Sequence, residues 1–311
     1  MALTLLEYSK ASEMSGDTLR QGVIELYAGS SGILANLPME NIQGNAYKYN
    51  TEESLPGVGF RGINETYTAS NGVINPQTES LTIAGGTLDV DRFLIKTQGE
   101  SARARHEAMK VRALSLNWTK KFIKGDTNSA PREFDGLQVR LVNDQLIDAG
   151  ATSGGDALSL AKLDQLIDQV WNPTHLIMNK TMRRRMTAAA RNTSVGGFIT
   201  HMVDDFGKQV TMYNELPIIE LDLDNESNAI LPFTEANPGG GTAASTSIYC
   251  VSFSEEGVMG LQNGTIEVED LGLTDDGTLY RTLVEWYSSF GIFHGRGAAR
   301  LRGIKDAAVT V

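Results

Sequence analysis

Residues 45–97 form a long stretch of extended, mostly polar chain that contains no pattern able to build a core of its own. The run "AYKYNTEESLPGVGFRGINETYTAS" is followed by Asn71-Gly72 and then by "VINPQTESLTIAGGTLDVDRFLIKT". Asn-Gly supplies the positive φ values of a type I′ turn, so a long hairpin doubling back at that pair is predicted. Its tip has few large apolar residues, and an isolated two-stranded ribbon is at best marginally stable in water. Something outside the ribbon must hold it. Residues 1–44 add a second dependent segment, with one weak helical stretch at Ser15–Gly29 in which Leu19, Val23 and Leu26 share a face that Gly22 interrupts. That segment reads as an arm, not a core. A subunit that leans on neighbours is the simplest reading of both.

The clearest helix is "SARARHEAMKVRALSLNWTKKFIKG", Ser101 to Gly125, where Val111, Leu114, Trp118 and Phe122 recur at spacings of three and four. Ser101 is placed to cap it and Gly125 to end it. After "SAPREFDGL" and the linker-like "DAGATSGGD", a second helix is predicted from Ser159 to Trp171, stopped by Asn172-Pro173. "THLIMN" then reads as a buried strand, "KTMRRRMTAAARN" as a helix with its arginines outward, and "LPIIELDLD" and "TSIYCVSF" as further strands. This alternation predicts an α/β sandwich over residues 156–262. Past it, "GTIEVEDLGL", Asp276-Gly277 and "TLYRTLVEWYSSFGIFHGRGAARLRGI" predict a second hairpin with one unusually long return strand. Trp286, Phe290 and Ile292 fall on one side of that strand, Tyr287 and Phe293 on the other. Glycines 291, 295 and 297 would let it bend or let another backbone approach.

Charge is segregated. From Gln209 to Tyr280 there is no lysine or arginine but there are thirteen acids, whereas Arg92 to Lys124 holds nine basic residues against Glu100 and Glu107. Such segregation steers association, yet a net charge of −11 disfavours tight nucleic-acid binding. The single cysteine, Cys250, permits no internal disulfide, and "MALTLLEYSK" lacks a signal-peptide pattern, so synthesis in a reducing cytosol is expected. No apolar run approaches the length of a membrane span.

No catalytic constellation emerges. "GIFHGRG" has its glycines inside a strand rather than at a strand-to-helix turn, so it is not a dinucleotide fingerprint. Histidines 106, 175, 201 and 294 lack zinc-ligand spacing. "ELDLD" puts Glu220, Asp222 and Asp224 on one strand face, which suits either a hard divalent cation or a solvated acidic surface. Ser159 and Lys162 match Ser-x-x-Lys without the partner motifs, and Cys250 reads as a small buried hydrophobe. Neither catalytic residues nor cofactor or metal sites are expected.

The order of parts is distinctive. An arm, a long hairpin, a basic amphipathic helix, "FDGL", an α/β domain with "THLIMNKTMRRRM" and "NELPIIELDLD", and a terminal strand pair ending "HGRGAARLRGI" together resemble the major capsid protein of a tailed bacteriophage with the HK97-type fold. The resemblance implies an α+β chain divided into an N-terminal arm (1–44), an extended β-hairpin loop that overlaps a neighbour (45–97), a peripheral domain with a spine helix (98–155), an axial domain (156–262) and a return to the peripheral domain (263–311). It implies self-assembly through pentamers and hexamers into an icosahedral shell around double-stranded DNA, touched weakly and without specificity. Portal, scaffolding and decoration proteins would be partners, with the protein located in the virion after assembly in the host cytoplasm. Subunit-interface candidates are Lys48, Glu52, Glu53, Arg61, Arg103, Arg105, Asp275, Asp276, Arg281 and Arg296. In particular, the basic helix and Arg61 would meet acids such as Glu52, Glu53, Asp275 and Asp276 across subunit boundaries. An encapsulin compartment shares that fold and is the alternative, and a soluble α/β enzyme is a more distant one.

Overall fold

The computed structural model describes residues 3–5, 31–191, 199–203 and 209–310, so the weak helix expected at Ser15–Gly29 lies outside the described residues. The chain is α+β and is built around two sheets and one long helix.

That helix, α3 (Glu100–Lys124), lies against β14 (Leu279–Ile292). The strand alternates, so Thr282, Val284, Trp286, Ser288 and Phe290 are buried on one face and meet the apolar stripe of the helix. The Trp118 ring sits 5.7 Å from Trp286 and 5.4 Å from Phe122, and Phe122 is 4.4 Å from Phe290. The Trp118 indole N–H donates to Ser288 Oγ at 3.1 Å and that of Trp286 to Gln262 Oε1 at 3.2 Å, which satisfies the polar atoms of both buried indoles. Ser101 does not cap the helix. Gly99 occupies the N-cap position with φ +81°, and the Ser101 hydroxyl turns back to Gln98 O at 3.4 Å. At the other end Gly125 faces Gly136 of "FDGL" so closely that a Cβ on Gly136 would lie 2.6 Å from Lys121 O.

Strands β1 (Leu3–Thr4), β2 (Pro38–Asn41), β12 (Val258–Gln262), β13 (Glu267–Leu273) and β5 (Thr82–Asp91) complete a six-stranded sheet with β14. β12 and β13 follow each other along one edge of β14, and β5 pairs with the other over ten residues. The hairpin turn before β14 uses Gly277 at φ +66°. Contrary to the reading of residues 1–44 as an arm without a core, β2 and the preceding short helix α1 (Gly32–Asn36) bury Ile33, Leu34, Leu37 and Met39 completely. The spacing of these four residues is too compressed to show helical or strand periodicity.

A seven-stranded sheet has the order β6 (Leu146–Asp148), β15 (Ala298–Lys305), β11 (Ser245–Val251), β7 (His175–Asn179), β10 (Leu216–Leu221), β9 (Gln209–Tyr213) and β8 (Ile199–Val203). Two helices, α5 (Leu160–Gln169) and α6 (Lys180–Ala189), cover one face, where Ile248, Cys250, Leu176, Met178 and Ile218 point. Tyr249, Val251, Ile177, Ile219 and Leu221 point to the opposite face and join the core that contains α3. Burial on both sides explains the unbroken apolar runs of its central strands.

The return strand is not one beam. β14 ends at Ile292, the chain turns at His294–Gly297, with Gly297 N–H donating to His294 O at 2.9 Å, and β15 enters the other sheet. Gly297 lies against Gly257, 3.3 Å from where a Cβ would stand, so a side chain there would crowd the crossing. The last segment therefore ties the two sheets together rather than returning wholly to the first.

The hairpin also differs from its expected form. β3 (Ala46–Ser54) pairs with β4 (Val73–Ser80), Ser54 opposite Val73, so residues 55–72 form a loop and Asn71-Gly72 is its exit rather than its turn. Two further short helices, α2 (Arg92–Gln98) after β5 and α4 (Leu137–Arg140) after "FDGL", complete the layer beside α3.

Candidate assembly surface

Among the described residues the β3–β4 ribbon is anchored at one end only. At its base the rings of Tyr47 and Tyr49 lie 5.8 and 4.5 Å from that of Phe293. The Tyr49 hydroxyl reaches both Ile292 O and Glu79 Oε1 at 3.3 Å, and Arg140 Nη2 donates to Glu79 Oε2 at 2.8 Å. Burial, followed by the Glu79 charge, pushes the Tyr49 hydroxyl up to about 12, so it stays a neutral donor. Beyond this clamp β4 is exposed along nearly its whole length.

The loop at the far end organises itself. Arg61 lies 5.4 Å from the centroid of the Tyr67 ring and donates to Glu65 O at 3.0 Å, Gly62 N–H donates to Glu65 Oε2 at 2.8 Å, and Ser70 Oγ donates to Gly57 O at 2.8 Å. These polar groups bond to one another within an exposed loop, and its large apolar side chains stand in water. Val58, Phe60 and Ile63 are more than nine-tenths exposed, with Leu55, Tyr67 and Ile74 well exposed nearby. The expectation of a tip with few large apolar residues is thus overturned. Spread over 55–74 between glycines, these residues form no periodic run, so their shared exposure is not visible in the sequence.

The candidate charges fall into two groups. Lys48, Arg105, Asp275 and Asp276 are exposed, Arg61 is part of the tip, and Glu52 and Glu53 lie on β3. Among the described residues Arg105 bonds only within its own helix and the turn before it, whereas three other arginines reach partners elsewhere in the chain. Arg103 bridges Glu107 at 3.1 Å and Asp270 at 2.6 Å, and its hydrogen bond holds the Asp270 carboxyl below the usual range. Arg281 grips Asp89 through two contacts of 2.7 Å. Arg296 donates to the Gln169 carbonyl, 2.9 Å away at the end of α5.

The residues weighed for other chemistry are likewise engaged. Glu220 pairs with Arg183, Asp222 with Lys180 and Asp224 with Lys120, so the "ELDLD" row is neutralised by cations of its own chain. Among the described residues no group of three or more His, Cys, Asp or Glu is arranged to hold a metal ion. Burial pushes the Cys250 thiol up to about 12, Lys162 contacts Gln165, and the His294 ring stacks on Trp171 at 5.1 Å while its Nδ1 accepts from Arg296 N–H. No helix among the described residues is long and apolar enough to cross a membrane. Sequence reasoning missed the Glu79–Arg140–Tyr49 clamp, whose members are 30 and 61 positions apart and share no motif.

The encapsulin of Synechococcus elongatus PCC 7942, in its holo-SrpI complex, superposes with a TM-score of 0.65 at 15% identity, covering 90% of this chain and 89% of that one. The structures from Microbacterium phage Oxtober96 and Mycobacterium phage Bobi give 0.63 and 0.61 at 11% and 12% identity, each over 87% of this chain and 90% and 89% of theirs. This is an HK97-type capsid fold. Residues 15–161 in addition match the family model described as major capsid protein GP7. No curated protein matches the chain. Both the family model and these solved structures are of capsid or encapsulin proteins.

Proposed function

We propose that the chain is the major capsid protein of a tailed phage, assembling through pentamers and hexamers into an icosahedral shell around double-stranded DNA. The observation that carries this reading is the projecting ribbon, whose loop is braced by bonds of Arg61, Gly62 and Ser70 while Val58, Phe60 and Ile63 face water. Large apolar side chains held in water on an outstretched element cost free energy until another surface covers them, and in a tiling of identical copies the cover is a neighbouring subunit. In this reading the β3–β4 ribbon with its loop is the overlapping element, the six-stranded sheet with α3 is the peripheral domain and the seven-stranded sheet the axial domain; the expected bounds 45–97, 98–155, 156–262 and 263–311 shift accordingly, β5 and β12 joining the peripheral sheet and β6 and β15 the axial one. Lys48, Glu52, Glu53, Arg61, Arg105, Asp275 and Asp276 are the charges offered to neighbours. Exposed pairs contribute roughly 0 to 1 kcal/mol each, so they set register while apolar burial drives association. Arg103, Arg281 and Arg296 are engaged by groups of their own chain. Portal, scaffolding and decoration proteins, and weak contact with the genome, complete the assignment to a virion built in the host cytoplasm.

The test is the size of the expressed chain. Megadalton, shell-shaped particles are expected by size-exclusion chromatography and negative-stain microscopy, and the double variant Phe60→Ser/Ile63→Ser should keep the native circular dichroism while losing the particles. A monodisperse small species from the unaltered chain, co-expressed with its neighbouring genes, would refute the proposal. The encapsulin likeness supports a second reading, a compartment for protein cargo, and particles carrying a cargo enzyme in place of nucleic acid would favour it.

A further inference from the structure

The Asn71-Gly72 pair that fails to make a turn occupies a chemically exposed position. Both residues are solvent-exposed, lie outside any strand or turn, and sit where the loop 55–72 runs into β4. No backbone hydrogen bond holds Gly72 N–H among the described residues. The other Asn-Gly pair, Asn263-Gly264, provides an internal contrast. Asn263 N–H donates to Tyr287 O at 3.1 Å, its Nδ2 donates to Gly44 O at 3.0 Å, and Gly264 N–H donates to Asn41 Oδ1 at 2.8 Å. The nucleophile and the electrophile of one pair are thus pinned, and those of the other are free.

We propose that Asn71 is a site of spontaneous backbone-assisted deamidation and that Asn263 is not. The Gly72 amide nitrogen, after losing its proton to solvent, attacks Asn71 Cγ, and the bond from Cγ to the side-chain nitrogen breaks with loss of ammonia. The resulting succinimide is opened by water at either carbonyl, giving aspartate or isoaspartate. Glycine at the second position leaves no Cβ to obstruct the attack. The loop 55–72 carries one cation, Arg61, and one carboxylate, Glu65, so conversion makes it net negative. The isoaspartyl product also inserts a carbon into the backbone two residues before Val73, where β4 begins and pairs with Ser54 across an irregularity in the ladder. This inference does not depend on the shell reading.

The test uses the full chain incubated at mildly alkaline pH, with peptides spanning each pair followed by mass spectrometry and isoaspartate labelling. Asn71 is expected to acquire the mass of an NH2-to-OH exchange at least about tenfold faster than Asn263, because reaction at the latter requires hydrogen bonds to open first. Gly72 does not have a positive φ, so Gly72→Ala should fold, and it should abolish the fast conversion at Asn71 while leaving Asn263 unchanged. Asn71→Asp supplies the product standard. Equal rates at the two pairs, or fast conversion at Asn71 surviving in Gly72→Ala, would overturn the proposal.

Discussion

Arg300 and Glu235 are each about nine-tenths buried where the end of α3 meets the seven-stranded sheet, and their side chains meet at 2.9 Å with Ser247 bonded to both. Lys120 holds the buried Asp224 nearby at 2.7 Å, and burial lowers the affinity of Lys124 for its proton in the same region. Removing one partner of a buried pair strands the other, so Glu235→Ala should lower unfolding free energy by roughly 3 to 5 kcal/mol in urea titration, with the double variant Glu235→Ala/Arg300→Met losing less. Asp270 behaves differently because it is half-exposed. Its folded-state pKa lies below the unfolded value of 3.8, chiefly through the Arg103 hydrogen bond, so its contribution is complete above that value and is lost as pH falls through the depressed one. Asp270→Asn should therefore cost about 0 to 1 kcal/mol at neutral pH and converge with the unaltered chain in strong acid, as read from denaturant melts across pH. None of these pairs could be read from the sequence. Arg300 and Glu235 lie 65 positions apart and Lys120 and Asp224 lie 104 apart, and a charge carries no mark of its partner.

At the scale of elements, legibility followed periodicity. Val111, Leu114, Trp118 and Phe122 announce α3 because a three-and-four spacing admits one interpretation, and the buried run of "THLIMN" announces β7. The crossing at His294–Gly297 was not legible, because strict alternation looks the same whether a strand stays in its sheet or enters another. Asn71-Gly72 misled for a related reason: the pair favours a tight turn locally, but the ladder from Ala46 to Ser54 pairs in a register that leaves the whole loop between the strands. The contact of α3 with β14 makes a direct prediction. Trp286→Ala should remove roughly 3 to 5 kcal/mol, since the ring is enclosed by Trp118 and buried neighbours that cannot collapse into the gap. Gly136→Ala should also destabilise, because its Cβ would collide with backbone at Lys121 and Gly125 rather than with a movable side chain. Thermal melts monitored by tryptophan fluorescence check both.

The whole molecule combines a body with two well-packed cores and a ribbon that the body cannot cover. The clamp of Tyr49, Glu79 and Arg140 fixes the base of the ribbon, and the bonds of Arg61, Gly62 and Ser70 brace the loop that carries the exposed apolar side chains at its end. Preorganisation of this kind lowers the ordering cost of association. Hydrogen exchange of residues 55–74, compared between dissociated subunits and intact particles, tests the central claim most directly. Fast exchange in the subunit and strong protection in the particle are expected, while the cores at Trp118 and Tyr249 remain protected in both. Equally fast exchange in the two states would mean that the apolar tip is never covered by a neighbour.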